Sequence, residues 1–249
     1  MDSLRDPLRD PLRDPVVESV RHLDLAELPL RSVNALLHGR EVDDLPALAP
    51  GEDVVLTHPR GAHAVAVGLD SPRQVRIEGH VGYYAAGMNQ RADVVVDGNA
   101  GVGVAENMMS GSVTVLGNAS QAAGATAHGG LLVVHGDAAA RCGISMKGVD
   151  IVVGGSVGHM SAFMAQAGRL VVRGDAGEAL GDSIYEARLY VRGSVASLGA
   201  DCVAKEMRAE HLAELSDLLA RAGYDDDPAS YTRYGSARRL YHFHSDNAY

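Results

Sequence analysis

A glycine recurs every 19 residues through the middle of this chain, without a slip in register. Aliphatic residues stand four and two places before each of these glycines, and Val or Ala stands two places after it. Asn, Asp or Ser usually follows the glycine directly. A fixed period of this size is typical of a repeat architecture, in which each unit stacks on the next. The seven glycines are Gly79, Gly98, Gly117, Gly136, Gly155, Gly174 and Gly193.

The residues before each glycine alternate in character with period two, which indicates a β-strand with one buried face. We expect the glycine to supply a corner conformation that a side chain would penalise. We expect the polar residue after it to bond the local backbone of a turn. One such unit cannot bury its own apolar face, whereas stacked units can. The sequence therefore predicts an all-β solenoid, a right-handed parallel β-helix of about seven 19-residue turns.

The second half of each repeat is less regular. Further glycines, such as Gly111 and Gly130, precede the next strand and predict several short strands in each turn. Small residues recur seven places after each repeat glycine, which predicts a tight bend or a close approach between layers. These small residues are Ala86, Ala105, Gly124, Gly143, Ala162, Gly181 and Ala200.

Outside the repeat, composition divides the chain into four further segments. Residues 1–15 repeat Leu-Arg-Asp-Pro, and proline at every fourth position excludes a continuous helix, so we expect a disordered arm. Residues 16–74 are expected to form an N-terminal cap before the β-helix at residues 75–202. An amphipathic helix at residues 203–223 is expected to cover the last open turn, because a bare end would expose unpaired edges. An aromatic tail follows at residues 224–249.

The cap and the tail each carry finer signals. Pro29 is expected to open a helix that Gly39 ends, and residues 53–57 and 62–67 indicate two apolar strands.

The tail holds six of the 11 aromatic residues together with several arginines, and Tyr and Arg are favoured at protein interfaces. Two interpretations of the tail remain open: it docks onto another subunit, or it packs back along its own β-helix.

Composition limits the classes of partner and compartment. With 22 Lys+Arg against 32 Asp+Glu, the net charge of −10 argues against a nucleic-acid or anionic membrane surface. No apolar run is long enough to span a membrane and no signal peptide is evident, so we expect a cytoplasmic protein. Cys142 and Cys202 fall at different places in the repeat, which favours two buried thiols over a disulfide.

No constellation in the sequence indicates catalytic, cofactor-binding or metal-binding chemistry. His80, His128, His135 and His159 fall at four different repeat positions, so they do not stack as ligands. The tail contains a His-x-His pair, a weak metal signal without a third ligand nearby. A 19-residue turn does not fit the six-residue units of hexapeptide acyltransferases, and the repeat lacks the sugar-stacking aromatics of polysaccharide-cleaving β-helices.

One ladder of large, mixed side chains is a candidate partner interface. It lies eleven places after the repeat glycine, and it differs from the aliphatic ladders expected in the interior. Methionines lie close by at Met88, Met108, Met146 and Met164, where they serve either as adaptable binding residues or as core filler. The ladder consists of Gln90, Met109, His128, Lys147, Gln166 and Tyr185.

The repeat resembles the GXGXG domain, the C-terminal β-helix of the glutamate synthase large subunit. It is most similar to stand-alone members, such as the small β-helix subunit of N-methylglutamate synthase. The resemblance covers the chain from about Leu23 to the C-terminus. The runs that carry it are Gly103-Val104-Ala105-Glu106-Asn107-Met108-Met109-Ser110-Gly111, Gly124-Ala125-Thr126-Ala127-His128-Gly129-Gly130, Cys142-Gly143-Ile144-Ser145-Met146-Lys147-Gly148 and Ala196-Ser197-Leu198-Gly199-Ala200-Asp201-Cys202.

The resemblance implies a structural role rather than an active site. In the split enzymes of this family, an amidotransferase-like chain, an FMN-binding synthase chain and the β-helix are separate subunits. FMN and any iron–sulfur cluster would then belong to a partner, and the family pattern places no catalytic residue in the β-helix. The resemblance therefore implies a scaffold subunit of an N-methylglutamate-synthase-type complex. Two alternatives stay open: a scaffold like the β-helical subunit of formylmethanofuran dehydrogenase, and a stand-alone, self-assembling β-helix.

Overall fold

The computed structural model describes residues 20–240, and within them the strands join into one 11-stranded sheet. The strands follow chain order across the sheet, except that the last two exchange places at the C-terminal edge. The helices are α1 (Leu30–Leu37) and α2 (Ala209–Arg221), with a short 3₁₀ turn at Pro228–Ser230. The strands are β1 (Arg21–Asp24), β2 (Val54–Thr57), β3 (Gln74–Glu78), β4 (Asp93–Val96), β5 (Ser112–Val115), β6 (Leu131–Val134), β7 (Lys147–Val153), β8 (Ala167–Val172), β9 (Arg188–Val191), β10 (Cys202–Lys205) and β11 (Thr232–Ser236).

Strands β1 to β9 are parallel, and from β3 onwards each residue lies opposite the residue 19 positions later, apart from a bulge at the start of β7. Val75 pairs with Val94 and Val94 with Val113, so like residues stack in columns. Two aliphatic columns, four and two places before each repeat glycine, point inward and are buried. The predicted parallel β-helix of about seven turns is therefore confirmed.

Each turn contains one strand, a single-residue bridge and a tight arc, so the prediction of several strands per turn was wrong. The bridges join the Val and Ala residues two places after each repeat glycine, from Val81 to Val195. In the arc, alternate residues adopt left-handed backbone conformations, as at Gly103 (φ 73°), Ala105 (φ 56°) and Asn107 (φ 55°). Extended strand cannot continue through such residues. The predicted tight bend at the small residues is present, because they stand within this arc.

The repeat glycines are required for a reason other than the one the sequence suggested. Apart from Gly79 (φ 131°), none of the seven has a left-handed φ. Instead, a Cβ at Gly136 would lie 2.8 Å from the backbone oxygen of Gly117 and 2.1 Å from the side-chain oxygen of Asn118. From Gly98 onwards, successive turns therefore approach too closely at this column to admit any side chain.

The N-terminal cap forms an irregular first layer. Helix α1 begins after Pro29 and ends before Gly39, as predicted, and it buries Val33, Leu36 and Leu37 in the core. Strand β2 confirms the apolar run at residues 53–57. The strand predicted at residues 62–67 was wrong: this segment is a turn in which Ala64 (φ 56°) and Ala66 (φ 55°) are left-handed.

Helix α2 lies on the side of the sheet, not across its end as predicted. Leu215, Leu218 and Leu219 pack on the outer face of strands β6 to β9 and form a second apolar cluster with Val152 and Val171. The last parallel strand is instead covered by β11, which pairs antiparallel with both β9 and β10. The reversed strand β11, followed by β10, therefore covers the edge that the helix was expected to protect.

The described part of the tail packs back along its own β-helix. Tyr231 is buried against the outer face of the sheet, and Tyr234 stands in β11. This resolves the two interpretations in favour of packing back for residues 224–240. The predicted arm at residues 1–15 and the last tail residues, 241–249 with the His-x-His pair, lie outside the described residues.

Candidate functional site

A column of polar side chains runs along the β-helix directly after the repeat glycines. Each side chain except that of the last member, Ser194, accepts a hydrogen bond from the backbone N–H of the equivalent residue one turn later, at 2.7–3.0 Å. The column therefore joins neighbouring turns. The sequence had suggested instead that each side chain bonds the backbone of its own turn. The bond from the Ser194 N–H to Asp175 lowers the pKa of that carboxyl. The members are His80, Asn99, Asn118, Asp137, Ser156, Asp175 and Ser194.

The remaining candidates for chemistry are dispersed or buried. Cys142 and Cys202 are both buried free thiols, as expected, and burial raises the pKa of each to about 12. His128 and His159 are exposed at separate places. Within residues 20–240, no group of three or more His, Cys, Asp or Glu side chains is arranged to hold a metal ion. No helix in this part of the chain is both long and apolar enough to cross a membrane.

The candidate interface ladder forms a column on the surface. The N–H groups of Met109, His128 and Lys147 each bond a carbonyl of the preceding turn at 2.7–2.8 Å, which stacks the three residues. All six members except Tyr185 are exposed, and Tyr185 is half-buried. Of the nearby methionines, Met108 and Met146 fill the core, whereas Met88 is 50% exposed. The use of this column by a partner stays a prediction.

Two exposed tyrosines were missed by the sequence reasoning. Tyr83 and Tyr84 are each about half exposed, and their rings meet edge to face with centroids 6.5 Å apart. His63 from the preceding layer stacks on Tyr83 at 4.5 Å. The sequence could have revealed them by their size, because both are larger than the residues at the equivalent places of the next two turns, Val102-Gly103 and Gln121-Ala122.

An open groove of about 500 Å³ lies beside the edge strand β1. Asp24 on its wall accepts the Ala26 N–H at 2.7 Å and contacts His58 at 2.9 Å. The hydrogen bond from Ala26 is the main cause that lowers the pKa of Asp24. Asp24 therefore already serves the local turn, and Arg21 pairs with Glu52 at 3.0 Å. Its lining is Arg21, His22, Leu23, Asp24, Glu27, Leu28, Leu45 and Thr57.

The segment after α2 is held to the sheet by a group of side chains that we call the C-terminal clasp: Arg173, Arg192, Tyr224, Asp226 and Tyr231. The Asp226 carboxylate accepts hydrogen bonds from Arg173 (2.9 Å), Arg192 (2.7 Å) and the Tyr231 hydroxyl (2.8 Å). The Arg173 bond is the main cause that lowers the pKa of Asp226. The Arg173 guanidinium also lies 3.9 Å from the centre of the Tyr224 ring, a cation–π distance.

A second ionic group holds helix α2 itself. Asp150, which is buried, receives two hydrogen bonds of 2.6 Å from Arg169 and one of 3.4 Å from Arg221 on the helix. Glu214 on the helix accepts the Tyr190 hydroxyl at 2.7 Å and bonds Arg188. The polar groups on this side of the molecule are thus engaged in attaching the C-terminal segment.

We expect the clasp to weaken on mild acidification through His135. The Nδ1 atom of His135 lies 2.9 Å from the Tyr224 hydroxyl, and burial, followed by the charge of Arg173, lowers the pKa of this histidine. A histidine whose folded-state pKa is lowered stabilises the fold above its unfolded value of about 6.5 and loses that stability as the pH falls below it.

The measurement is the free energy of unfolding by urea at pH 8 and pH 5.5, for the natural protein and for His135→Gln. The natural protein should lose more stability between the two pH values than the variant. Equal losses would contradict the assignment. Because only the difference between pH values matters, any constant cost of the substitution cancels.

Comparison with known proteins gives one strong match. The chain is 59% identical over 229 residues to Protein GlxC of Rhizobium meliloti (strain 1021), covering 91% of this chain and 97% of that protein. No family model matches the chain. No solved structure matches it. An identity this high over nearly the full length of both chains means that this protein belongs to the GlxC family.

Proposed function

We propose that this chain is a non-catalytic scaffold subunit of a glutamate-synthase-type complex. The observation that carries the proposal is where the resemblance to the GXGXG domain falls in the fold. Three of the four runs that carry it, such as residues 103–111, begin within the tight arcs, where left-handed residues alternate. The motif thus specifies the shape of the solenoid. A protein whose signature residues build a rigid rod is suited to hold other subunits at fixed positions.

The polar side chains support the same function. Those in the column after the repeat glycines tie successive turns together, and those of the clasp attach the C-terminal segment. The column should stiffen the rod along its turns, and the clasp should fix its C-terminal segment. Stiffness is what a spacer between two catalytic subunits requires, because it maintains the distance and orientation between their active sites.

The partners we propose are an amidotransferase-like subunit and an FMN-binding synthase subunit. The reaction we propose for the complex is the exchange of methylamine and ammonia on glutamate, which forms N-methylglutamate. FMN, with any iron–sulfur cluster, would reside in the synthase subunit. The support for this finer assignment is the resemblance to the stand-alone β-helix subunit of N-methylglutamate synthase.

Purification of this chain from its native cells tests the proposal, with native mass spectrometry and an absorbance spectrum of the product. We expect an amidotransferase-like chain and a yellow, FMN-containing chain to co-purify. Co-purification with molybdenum or tungsten subunits would instead favour the formylmethanofuran dehydrogenase type. A colourless chain that purifies without other subunits would contradict the scaffold function.

We expect Lys147→Glu to weaken assembly of this complex while leaving the fold intact. Lys147 is exposed in the middle of the candidate interface ladder, so its reversal places a repulsive charge at the contact without disturbing the core. The measurement is the yield of co-purified partners, with circular dichroism as the check on folding. Arg40→Glu is the matched control, because Arg40 is exposed near the N-terminal cap. Equal yields from both variants would count against this ladder.

A further inference from the structure

Two neighbouring turns of the β-helix present a small aromatic surface that we call the tyrosine patch: Tyr83, Tyr84, Met88 and Glu106. Within residues 20–240, seven large apolar side chains are exposed, and Tyr83, Tyr84 and Met88 are three of them, each 49–50% exposed. Because these three fall within residues 83–88, they form a patch instead of being scattered over the surface. Exposed apolar patches are typical of surfaces that bind a partner.

The aromatic rings of the patch are held in place by their own chain. His63 stacks on Tyr83 with the ring centres 4.5 Å apart, and its Nδ1 atom accepts the Tyr83 N–H at 2.9 Å. Tyr83 meets Tyr84 edge to face at 6.5 Å. The Tyr84 ring in turn lies over Gly103, where a Cβ would stand 2.7 Å from the ring. Ordering these rings therefore costs a partner little conformational entropy.

The Glu106 carboxylate lies beside the Tyr84 ring. One carboxylate oxygen and two ring carbons come within 2.7–2.8 Å of the point where a Gly103 Cβ would stand, so both groups flank the same space over this glycine. The Met88 N–H donates to the Glu106 carbonyl oxygen at 2.7 Å, which places Met88 next to Glu106 on the following turn. The patch therefore combines aromatic and apolar groups with one carboxylate.

This carboxylate is isolated from other charges. Within residues 20–240, its side chain has no ion-pair or hydrogen-bond partner. Glu106 is also the only charged residue in its own arc and in the corresponding segments of the neighbouring turns, residues 62–68, 82–88, 101–107 and 120–126. An unpaired carboxylate attracts a cation, and so does the face of a tyrosine ring. Both groups therefore favour a positively charged ligand.

Among cations, the arginine side chain suits both groups at once. Its planar guanidinium stacks on an aromatic ring and donates a pair of hydrogen bonds to a carboxylate, whereas the ammonium of lysine is a compact, strongly hydrated point charge. A free small cation would leave Tyr83 and Met88 exposed. A protein surface would cover them, and protein interfaces are enriched in Tyr, Met and Arg.

We infer that the tyrosine patch binds a protein partner that presents an arginine between apolar side chains. The guanidinium stacks on Tyr84 and pairs with the Glu106 carboxylate, while the apolar side chains of the partner cover Tyr83 and Met88. The inference does not rest on the proposed function, because it concerns the recognition chemistry of this surface and is tested on the isolated chain.

The probe is the blocked pentapeptide acetyl-Leu-Ala-Arg-Ala-Leu-amide, titrated into the full chain and followed by NMR of the labelled tyrosine rings. We expect it to shift the Tyr83 and Tyr84 signals. Replacing its arginine with citrulline, the neutral isostere, should raise the dissociation constant roughly tenfold, because a charge-assisted hydrogen bond is lost. Glu106→Gln should have the same effect for the same reason. Tyr84→Leu should raise the dissociation constant roughly fivefold through loss of the cation–π contact.

Two controls accompany the variants. Circular dichroism of each variant must match the natural protein, and the citrulline comparison needs no variant, so it is independent of folding. Glu41→Gln, which removes an exposed carboxylate of the N-terminal cap, should leave binding unchanged.

Ethylguanidinium, the small cation without apolar neighbours, separates a protein partner from a free cation. It should bind roughly tenfold more weakly than the peptide, because it leaves Tyr83 and Met88 uncovered. Equal binding of the two probes would overturn the protein partner in favour of a small cation. The inference would also fail if the arginine peptide did not bind, if the citrulline peptide bound as tightly, or if Glu106→Gln kept the natural affinity.

Discussion

Replacing Gly136 with alanine should lower the free energy of unfolding by about 3 kcal/mol, the upper end of what overpacking costs. The new Cβ would lie 2.1 Å from the Asn118 side-chain oxygen and 2.8 Å from the Gly117 carbonyl oxygen of the preceding turn. The Asn118 side chain could rotate away, but it would then release its hydrogen bond to the Asp137 N–H. The Gly117 carbonyl belongs to the backbone and can move only if the two turns separate.

The measurement is urea unfolding followed by circular dichroism. Gly61→Ala is the matched control, because a Cβ there meets nothing within 4 Å and only its left-handed φ of 73° is penalised, at about 1 kcal/mol. Adding Asn118→Ala to Gly136→Ala should recover part of the loss, since it removes one of the two clashes. If Gly136→Ala cost no more than Gly61→Ala, close approach of the turns would not be the reason for the repeat glycines.

Replacing Asp226 with alanine should release the C-terminal clasp and cost about 2 kcal/mol. Removing one partner of a buried ion pair typically costs about 3–5 kcal/mol, and here the partial exposure of the two arginines reduces the penalty. The carboxylate is 10% exposed and satisfies Arg173, Arg192 and the Tyr231 hydroxyl together. Without it, two neighbouring guanidinium groups would remain with no carboxylate between them.

The test combines urea unfolding with limited proteolysis of the segment that follows α2. Cleavage between residues 222 and 232 should become faster in Asp226→Ala, because this segment loses its attachment to the sheet. Asp217→Ala is the control: its carboxylate is 69% exposed and, among residues 20–240, pairs only with Arg221, at 3.9 Å, so its loss should cost less than about 0.5 kcal/mol. Unchanged proteolysis in Asp226→Ala would show that the apolar contacts of α2 hold the segment without the clasp.

The 19-residue repeat explains which parts of the fold could be predicted from the sequence. A column such as Val75, Val94 and Val113 is visible at a fixed spacing, and its members pair in the structure at that spacing. Helix α1 was also predictable, because Pro29 and Gly39 mark its ends locally. The turn at residues 62–67 was not, since its apolar residues resemble a strand and its left-handed Ala64 and Ala66 carry no local signal.

The candidate surfaces likewise include one that was predictable from the sequence and one that was not. The position of the ladder containing Lys147 on the surface followed from its mixed side chains, whereas Tyr83 and Tyr84 have no counterpart in other turns and were missed. A residue that departs from the repeat in a single turn is difficult to recognise as functional from one sequence, because the 19-residue period identifies only residues that recur in every turn.

The sequence by itself determined the register, the number of turns and the buried aliphatic columns, because these depend on one spacing that every turn repeats. Only the tertiary structure decided where the C-terminal segment lies. Arg173 and Asp226 are 53 residues apart and belong to no common period, so nothing in the chain order indicates that they meet. The purpose of the repeat glycines was likewise decided in three dimensions: a Cβ at Gly136 is excluded by the turn below it, not by its own backbone conformation.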